Sequence, residues 1–365
     1  MGILPYRWHD AQVSTIPVVW SPHTRRHVAG AEIWVGVRIP GTEVPERVDL
    51  IRDTLVGSGH RLVGAGAHDD AALVTVHDAA LVEHLRTVYP TWVEAGFLDD
   101  PGQDRVVPYV FPTAEMLGPL PRHDAAAIHA QAGLYAYDTM TVLGPGTYDA
   151  ARAAIDCALT AVDLVVAGES AAYALCRPPG HHVTRSAYGG SCYLNNAAVA
   201  AQSLRNDHDR VAIVDLDAHH GNGTAAIFYE RGDVFYGSVH VDPGAGWFPH
   251  FVGFADERGV GDGAGCTLNI PLAPGSDDSA WLTAVAELAR AVEAFGASAL
   301  VVSLGVDAAA ADPESPLLVT ENGYADAGRL LGGLNLPSVI VQEGGYHLES
   351  LGGLVAAYLS GHVDR

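Results

Sequence analysis

Residues 210–222 place a short apolar run directly before a cluster of acidic and imidazole side chains, in the order RVAIVDLDAHHGN. The apolar residues 211–214 are typical of a buried strand in a parallel sheet. If the chain stays extended, Asp215, Asp217 and His219 share one face of that strand. Buried carboxylates are costly unless they have a partner. A bound cation would be such a partner, since Asp and His are ordinary zinc ligands, and a buried polar network without metal is the alternative.

The composition restricts the kinds of ligand that the chain can bind. Its 365 residues carry 20 basic and 43 acidic side chains, and the formal net charge is −23. This charge disfavours nucleic acid, which needs basic patches, and it favours cationic ligands through the summed field. Solubility alone is the other explanation of the acidic excess.

No segment of the sequence predicts a membrane or secretory protein. No apolar run reaches the roughly 18 residues that a membrane span needs, and the N-terminal residues lack the apolar region of a signal peptide. The four cysteines are scattered and form no CxxC pair, so they predict neither a cysteine zinc site nor a disulfide framework. We therefore expect a cytoplasmic protein with reduced thiols.

Strand-like and helix-like segments alternate along the chain, which predicts parallel βαβ units and an α/β fold. No repeat or linker divides the chain, so we expect one domain over residues 1–365. Residues 96–118 contain three prolines and no regular period, and we predict an inserted loop that has a functional or contact role. The predicted strands are 16–20, 72–76, 171–175, 211–214, 234–239, 266–270, 299–304 and 338–341. The predicted helices are 45–55, 79–93, 148–166, 195–204, 223–229, 278–295, 324–331 and 348–359.

Three further predicted strands also end in polar groups. His181 and His182 follow a Pro-Pro-Gly turn, and paired imidazoles can act as acid and base near neutral pH. Asp307 would be a third metal ligand, and Tyr346 could donate its hydroxyl to a developing oxyanion. Singly, the histidine pair is more often incidental and Asp307 is more often a helix cap, whereas Tyr346 is as often a packed loop aromatic. Together they predict a metal-dependent hydrolase for amides or esters.

Five segments carry a resemblance to a known family: RPPGHH, GGSCYLNNAAVAA, VDLDAHHGNGT, SLGVDAAAADP and EGGYH. In this order they resemble the signatures of the zinc-dependent histone deacetylase superfamily, over about residues 23–359. The resemblance implies the arginase–deacetylase fold, an α/β fold with a mostly parallel eight-stranded sheet between helices. Within the superfamily, the SLGVD segment, the loop at 96–118 and Asn222 are most similar to bacterial acetylpolyamine amidohydrolases.

The resemblance also implies two kinds of bound metal ion. One zinc ion per chain would be bound by Asp217, His219 and Asp307. A structural potassium ion would be bound near Asp215, Ser238 and Val239.

The implied catalytic residues are His181, His182 and Tyr346, with Asp215 and Asn222 behind the two histidines. In the implied mechanism a zinc-bound water attacks the amide carbonyl, the histidine pair transfers protons, and the tyrosine stabilises the oxyanion. His182 would do most of the proton transfer, and His181 would act mainly through its charge. Because Asn222 cannot ionise, His182 would lack the stabilisation that a carboxylate gives to a charged imidazole.

The residues expected to contact the substrate are Gly190, Ser191, Trp247, Phe248 and Glu115. Ser191 stands where the family usually has an aromatic residue, which implies a wider and more polar channel. The implied function is removal of an acetyl or other short acyl group from a small cationic N-acyl amine, with acetylpolyamines as the first choice. The alternatives are a protein or histone acetyl-lysine deacylase, a deacylase of a secondary-metabolite intermediate, an inactive binding protein and a two-manganese arginase-like enzyme.

The resemblance implies a homodimer, built in part by the loop at 96–118. We expect no nucleic-acid or membrane partner.

Overall fold

The computed structural model describes residues 15–121, 123 and 125–364. Its strands are β1 (Val18–Trp20), β2 (Glu32–Trp34), β3 (Val37–Ile39), β4 (Leu62–Gly64), β5 (Ala171–Ala174), β6 (Val211–Asp215), β7 (Val234–Val241), β8 (Thr267–Leu272), β9 (Ala299–Leu304) and β10 (Ser338–Gln342). Its helices are α1 (Glu46–Gly57), α2 (Ala71–Val76), α3 (Ala79–Glu94), α4 (Ala114–Leu117), α5 (Ile128–Gln131), α6 (Thr147–Val166), α7 (Asn196–Leu204), α8 (Asn222–Phe228), α9 (Asp278–Phe295), α10 (Glu321–Gly332) and α11 (Leu348–Val363).

An eight-stranded sheet forms the centre of the fold, in the order β4-β1-β5-β10-β9-β6-β7-β8. Every neighbouring pair in it is parallel, which confirms the mostly parallel eight-stranded sheet that the resemblance implied. Strands β2 and β3 form a separate antiparallel hairpin.

The two faces of the sheet bury two apolar clusters. Val211 and Ile213 of β6 pack into the cluster that includes residues of α3, α6 and α7. Ala212 and Val214 point to the other face, where α1, α9, α10 and α11 pack. This alternation explains why the strand reads as a continuous apolar run: helices cover both of its sides.

The order of the strands brings the polar strand ends together. Strands β5, β10, β9 and β6 are consecutive in the sheet. Their register aligns Ala174, Val341, Ser303 and Asp215 across the four strands. The polar residues that follow these positions therefore meet at one edge, the carboxyl end of a parallel sheet, where ligands bind in open α/β folds.

Some of the observed elements differ from the predicted ones. Residues 72–76 belong to helix α2 and not to a strand. The buried residues of this helix, Leu73 and Val76, are three positions apart, which is a helical spacing. Strand β8 does not end before Pro271 but continues to Leu272. Proline is tolerated there because β8 is an edge strand and needs no amide donor on its outer side.

Helix α5 was not predicted, and neither were the short strands β2, β3 and β4, which have three residues each. Their residues are largely exposed, so they lack the apolar run that marks a buried strand. Residues 96–118 are irregular apart from α4, as the prolines indicated. Within the described part of the chain, no helix is both long and apolar enough to span a membrane.

Candidate active site

Asp217, His219 and Asp307 form a compact cluster at the carboxyl ends of β6 and β9. Each offers a ligand atom, and these atoms lie within 4.8 Å of one another. His219 Nδ1 is 3.0 Å from Asp307 Oδ2 and 3.3 Å from Asp217 Oδ1. Burial opposes a charged imidazole there, but the two carboxylates hold the pKa of His219 well above its usual value. A cation bound between these three side chains would replace that proton.

The surrounding backbone is shaped to hold both carboxylates. The amide of Gly344 donates to Asp217 Oδ2 at 2.8 Å, and the amide of Ala218 donates to Asp307 Oδ1 at 2.8 Å. A side chain at Gly344 would clash with both carboxylates, because its Cβ would lie 2.5 Å from Asp217 Oδ2 and 2.7 Å from Asp307 Oδ2. Two carboxylates and one imidazole, held this close, fit a tetrahedral zinc ion with an open position.

His181 is paired with a buried carboxylate behind the cluster. Its Nδ1 lies 3.0 Å from Asp215 Oδ2, which also accepts a hydrogen bond from the Tyr236 hydroxyl. Burial disfavours the charged imidazole, but Asp217 and Asp215 outweigh it and raise the pKa of His181 to about 10. A divalent cation beside Asp217 would oppose this effect, because it neutralises one of the two carboxylates.

His182 is held as a neutral imidazole. Burial and the neighbouring His181 lower the pKa of His182 well below its usual value. Its Nδ1 lies 2.8 Å from the side-chain oxygen of Asn222. An amide oxygen only accepts, so Nδ1 carries the proton and Nε2 keeps its lone pair. His182 also lines the cavity, which is the arrangement that a general base needs.

Tyr346 is oriented by two residues that the sequence analysis missed. Asp312 Oδ2 accepts from the amides of Tyr346 at 2.6 Å and His347 at 3.1 Å. The guanidinium of Arg47, on α1, lies 4.8 Å from the centre of the Tyr346 ring and donates to the carbonyl of Gly345 at 2.6 Å. Burial raises the pKa of Tyr346 well above its usual value, so its hydroxyl stays protonated and can donate.

A third missed residue, Glu343, supports the histidine pair. Its Oε2 accepts from the amides of Gly180 at 2.6 Å and His181 at 3.2 Å. The side chain is fully buried, and burial raises the pKa of Glu343 to about 7. An acidic residue after an apolar strand was visible in the sequence, but nothing in the sequence indicated which loop it would contact.

A cavity of about 630 Å³ opens next to these groups and is lined by His182, His219 and Tyr346. Phe248 lines it and packs edge-on against His182, with ring centroids 4.8 Å apart. Gly190 and Ser191 line it as well.

Two of the predicted substrate contacts do not line this cavity. Trp247 is partly buried and packs against the apolar cluster of α9 to α11. Glu115 lies exposed on the short helix α4.

Three acidic residues that line the cavity, Glu32, Asp138 and Glu314, form no ion pair with the described residues. No arginine lines the described cavity. Glu32 is only 6% exposed. Burial, followed by the neighbouring Glu314, raises the pKa of Glu32 to about 7. Glu32 lies on β2, and Asp138 and Glu314 lie in loops. None of the three belongs to a motif, so the sequence did not indicate them.

The predicted potassium ligands are buried neighbours in the sheet. Asp215 of β6 is paired in register with Ser238 of β7, and Val239 follows it. The Ser238 hydroxyl lies 2.8 Å from His240 Nδ1.

A model of the histone deacetylase domain matches residues 41–362 of the chain. The chain belongs to the histone deacetylase family. The acetylpolyamine amidohydrolase of Mycoplana ramosa is 40% identical over 346 residues, which cover 94% of this chain and 98% of the relative. The crystal structure of acetylpolyamine aminohydrolase from Burkholderia pseudomallei has a TM-score of 0.90 at 37% identity and covers 96% of this chain and 99% of its own. Histone deacetylase 8 of Arabidopsis thaliana is 37% identical over 231 residues, which cover 60% of this chain and 61% of the relative.

These comparisons confirm the family and the arginase–deacetylase fold that the motifs implied. Membership of the histone deacetylase family makes the chain a deacetylase-type amidohydrolase. The Asp217, His219 and Asp307 cluster is the one group of at least three His, Cys, Asp or Glu residues with metal-binding spacing in the described part of the chain. A second full ligand set, as the arginase-like alternative requires, is not found there.

Proposed function

We propose that this chain is a zinc-dependent amidohydrolase that removes acetyl groups from N-acetylated polyamines. The observation that carries the proposal is the cavity itself. It runs from the cluster of Asp217, His219 and Asp307 to a lining with three acidic side chains and no arginine. A substrate with an amide at one end and an ammonium group farther along matches both ends of such a cavity.

The zinc ion would be bound by Asp217, His219 and Asp307. When bound, zinc supplies Lewis acidity at a carbonyl oxygen and lowers the pKa of water to about 7. One such group of ligands among the described residues supports a single zinc ion in each chain.

The chain's own residues supply the proton transfers. His182 Nε2 accepts a proton from the attacking water and returns it to the leaving amine nitrogen. Asn222 holds the ring through Nδ1, so Nε2 stays available. His181, whose Nδ1 pairs with the buried Asp215 carboxylate, supports the reaction centre electrostatically and is not the base.

Tyr346 donates its hydroxyl to the oxygen that becomes negative in the transition state. Arg47 and Asp312 hold the tyrosine and its loop in place, so the hydroxyl needs no rearrangement during the reaction. This orientation is the preorganisation that makes such a donor effective.

A potassium ion near Asp215, Ser238 and Val239 is part of the proposal. The burial of these residues and the cross-strand pairing of Asp215 with Ser238 support it. A structural cation there would compensate for the buried Asp215 carboxylate, which already supports His181. We also propose a single cytoplasmic domain with no nucleic-acid or membrane partner.

The proposal also includes a homodimer whose interface contains the inserted loop at residues 96–118. Tyr109 and Met116 of this loop, and Leu120 just after it, are exposed large apolar side chains. Exposed apolar side chains in one segment are typical of a protein interface. The mass in solution, measured by analytical ultracentrifugation, would be about twice that of the chain, and a monomer at micromolar concentration would contradict this part.

The function is tested by turnover of N8-acetylspermidine, N-acetylputrescine, N-acetylcadaverine and an acetyl-lysine peptide with zinc-loaded protein. We expect the acetylated polyamines to have the highest kcat/KM and an Asp307→Asn variant to be inactive. A preference for the peptide would favour the protein deacylase alternative. Zinc-loaded, folded protein that hydrolyses none of the four would contradict the proposal.

A further inference from the structure

The orientation of the Asn222 amide decides which ring nitrogen of His182 carries the proton. The Asn222 oxygen lies 2.8 Å from His182 Nδ1, so Nδ1 donates and Nε2 keeps its lone pair. If the amide were turned over, its NH₂ group would face Nδ1, which would then have to accept. The proton would move to Nε2, and His182 could no longer take a proton from the attacking water.

An asparagine does not fix this orientation by its shape. The oxygen and the NH₂ group of an amide are nearly the same size, so packing hardly distinguishes the two arrangements. A carboxylate at this position would have no such problem, because either of its oxygens accepts a hydrogen bond. With Asn222, a second polar contact is needed to hold the oxygen towards His182.

Tyr137 supplies this second contact. Its hydroxyl donates to the backbone carbonyl of His182 at 2.9 Å. The hydroxyl has one hydrogen, so towards any other group its oxygen can only accept. The Asn222 side chain also forms a hydrogen bond with this hydroxyl. The NH₂ group of Asn222 must be the donor in that bond, which leaves the amide oxygen for His182.

The electrostatics of Tyr137 agree with this direction of the bond. Burial, followed by the nearby Asp138 carboxylate, holds the pKa of Tyr137 well above its usual value. The hydrogen bond with Asn222 acts in the opposite sense and lowers the pKa. A group that donates to the phenol oxygen has this effect, because it stabilises the ionised form.

The Tyr137 ring is held firmly enough to act as a fixed partner. A Cβ on Gly189 would lie 2.3 Å from two carbon atoms of the ring, so the ring lies directly against the backbone there. The backbone amide of Tyr137 donates to the Tyr188 carbonyl at 3.2 Å. Ring, backbone and hydroxyl are thus each anchored to the loop that contains His182 or to the turn that follows it.

We infer that Tyr137 is a positioning residue that holds the Asn222 oxygen towards His182 and thereby keeps the proton on Nδ1. The inference rests on the proposed function, in which His182 is the base. Tyr137 acts through Asn222 and forms no bond to the reacting atoms. The proton transfer is unchanged: an O–H bond of water breaks, Nε2 gains the proton, and this proton passes to the amine nitrogen as the C–N bond breaks.

The position of the proton can be measured without substrate. Long-range proton–nitrogen NMR correlations on zinc-loaded protein that contains nitrogen-15 histidine show which ring nitrogen is protonated. A His182→Ala variant assigns the resonances. We expect wild-type His182 to carry the proton on Nδ1 alone. In Tyr137→Phe, a substantial share of His182 should carry it on Nε2.

A double-mutant cycle with Asn222→Asp tests the same contact by kinetics. With Asn222 present, Tyr137→Phe should lower kcat for N-acetylputrescine about fivefold at nearly constant KM, which is the size expected for one neutral hydrogen bond. In the Asn222→Asp background the same change should cost less than about twofold, because a carboxylate accepts in either orientation. A purely structural role of the hydroxyl would cost the same factor in both backgrounds.

Tyr89→Phe on α3 is the matched control. It removes the hydroxyl of a partly buried tyrosine that does not line the cavity. We expect its kcat to stay within about twofold of the parent in both backgrounds, with the His182 proton on Nδ1. Tyr137→Leu also removes the hydroxyl and should move the proton in the same direction, which covers the case in which Tyr137→Phe does not fold.

Three results would overturn the inference. They are a wild-type His182 with a proton on Nε2, a folded Tyr137→Phe protein whose His182 keeps its proton on Nδ1 alone, and equal losses of kcat in the two backgrounds. None of them affects the turnover of acetylated polyamines on which the proposed function is judged. A wild-type enzyme that hydrolyses no acetylated polyamine would overturn that function, and the NMR measurement would still decide the role of Tyr137.

Discussion

The inner end of the cavity and its mouth are built in different ways. At the inner end, Asp217 and Asp307 follow buried strands directly and accept hydrogen bonds from backbone amides. The mouth is formed by the β2–β3 hairpin and by loops, and it exposes apolar side chains such as Val35 (77%) and Phe251 (87%). The sheet therefore holds the chemical groups rigidly, while loops decide what reaches them.

The largest effect should come from the inner end. Asp307→Asn removes one of two carboxylate ligands, so we expect zinc content to fall from about one per chain to near zero and kcat/KM to fall at least about 1,000-fold. Metal analysis and steady-state kinetics measure both. Asp326→Asn, which alters an exposed pair with Arg329 on α10, is the control and should change kcat/KM less than about twofold.

The next largest losses of activity should come from the two histidines, and the loss should be larger for His182 than for His181. His182→Ala should lower kcat by about 100- to 10,000-fold, because His182 carries the free lone pair that accepts the proton. His181→Ala should cost less, because His181 acts through its charge. Both variants should keep their zinc, since neither residue is in the metal cluster. A larger loss in His181→Ala than in His182→Ala would reverse the assignment of the base.

Tyr346→Phe removes only the hydroxyl and keeps the contact between the ring and the Arg47 guanidinium. We expect kcat to fall about 100- to 1,000-fold with a small change in KM, because the donated hydrogen bond strengthens only in the transition state. Single-turnover kinetics separate binding from chemistry here. If kcat/KM falls by the same factor because KM rises while kcat stays unchanged, Tyr346 binds the substrate and does not stabilise the transition state.

At the mouth, Glu32→Gln should have a smaller and pH-dependent effect. The pKa of Glu32 is raised to about 7, so its carboxyl is mostly neutral at pH 6 and charged at pH 8. The ratio of kcat/KM for N-acetylputrescine to that for neutral N-acetylbutylamine should therefore rise between pH 6 and pH 8. If the pair of the Glu32 carboxylate and the substrate ammonium group is worth about 1 kcal/mol, this ratio should rise about fivefold.

The same ratio in Glu32→Gln should be flat across this range, because the amide does not titrate. The ratio removes the contributions of His182 and the metal site, which act on both substrates alike. If the wild-type ratio does not change with pH, Glu32 does not contact the ammonium group.

The smallest effect is expected for Glu115→Gln on the exposed helix α4. Its side chain lies outside the cavity of its own chain, and substitutions at such surface positions have small effects. We expect kcat/KM for N-acetylputrescine to change less than about twofold. A larger loss would indicate that Glu115 does contact the substrate. Because this residue lies outside the cavity of its own chain, it would then belong to a second copy of the chain in a dimer.

The long buried elements could be predicted from the sequence, and the short exposed ones could not. Helix α9 (Asp278–Phe295) and strand β9 (Ala299–Leu304) were predicted with the observed bounds, because their apolar periods are complete. Strands β2 and β4 have no such period, since they are short and partly exposed. Residues 72–76 were mistaken for a strand because a run of only six helical residues does not distinguish the two periods.

Local patterns determined the chemistry of this protein. Several buried strands are followed directly by Asp, His or a Gly-Gly-Tyr segment. Burying such polar groups is unfavourable without a partner, so the sequence alone indicates a bound metal and a hydrolytic reaction. The tertiary structure alone decided which distant residues serve them. Arg47, Asp312 and Asp138 lie far along the chain from Tyr346 or Gly190, and only the packing of the loops brings them into contact. Sequence periods record which face a residue buries, whereas contacts between separate loops depend on the whole fold.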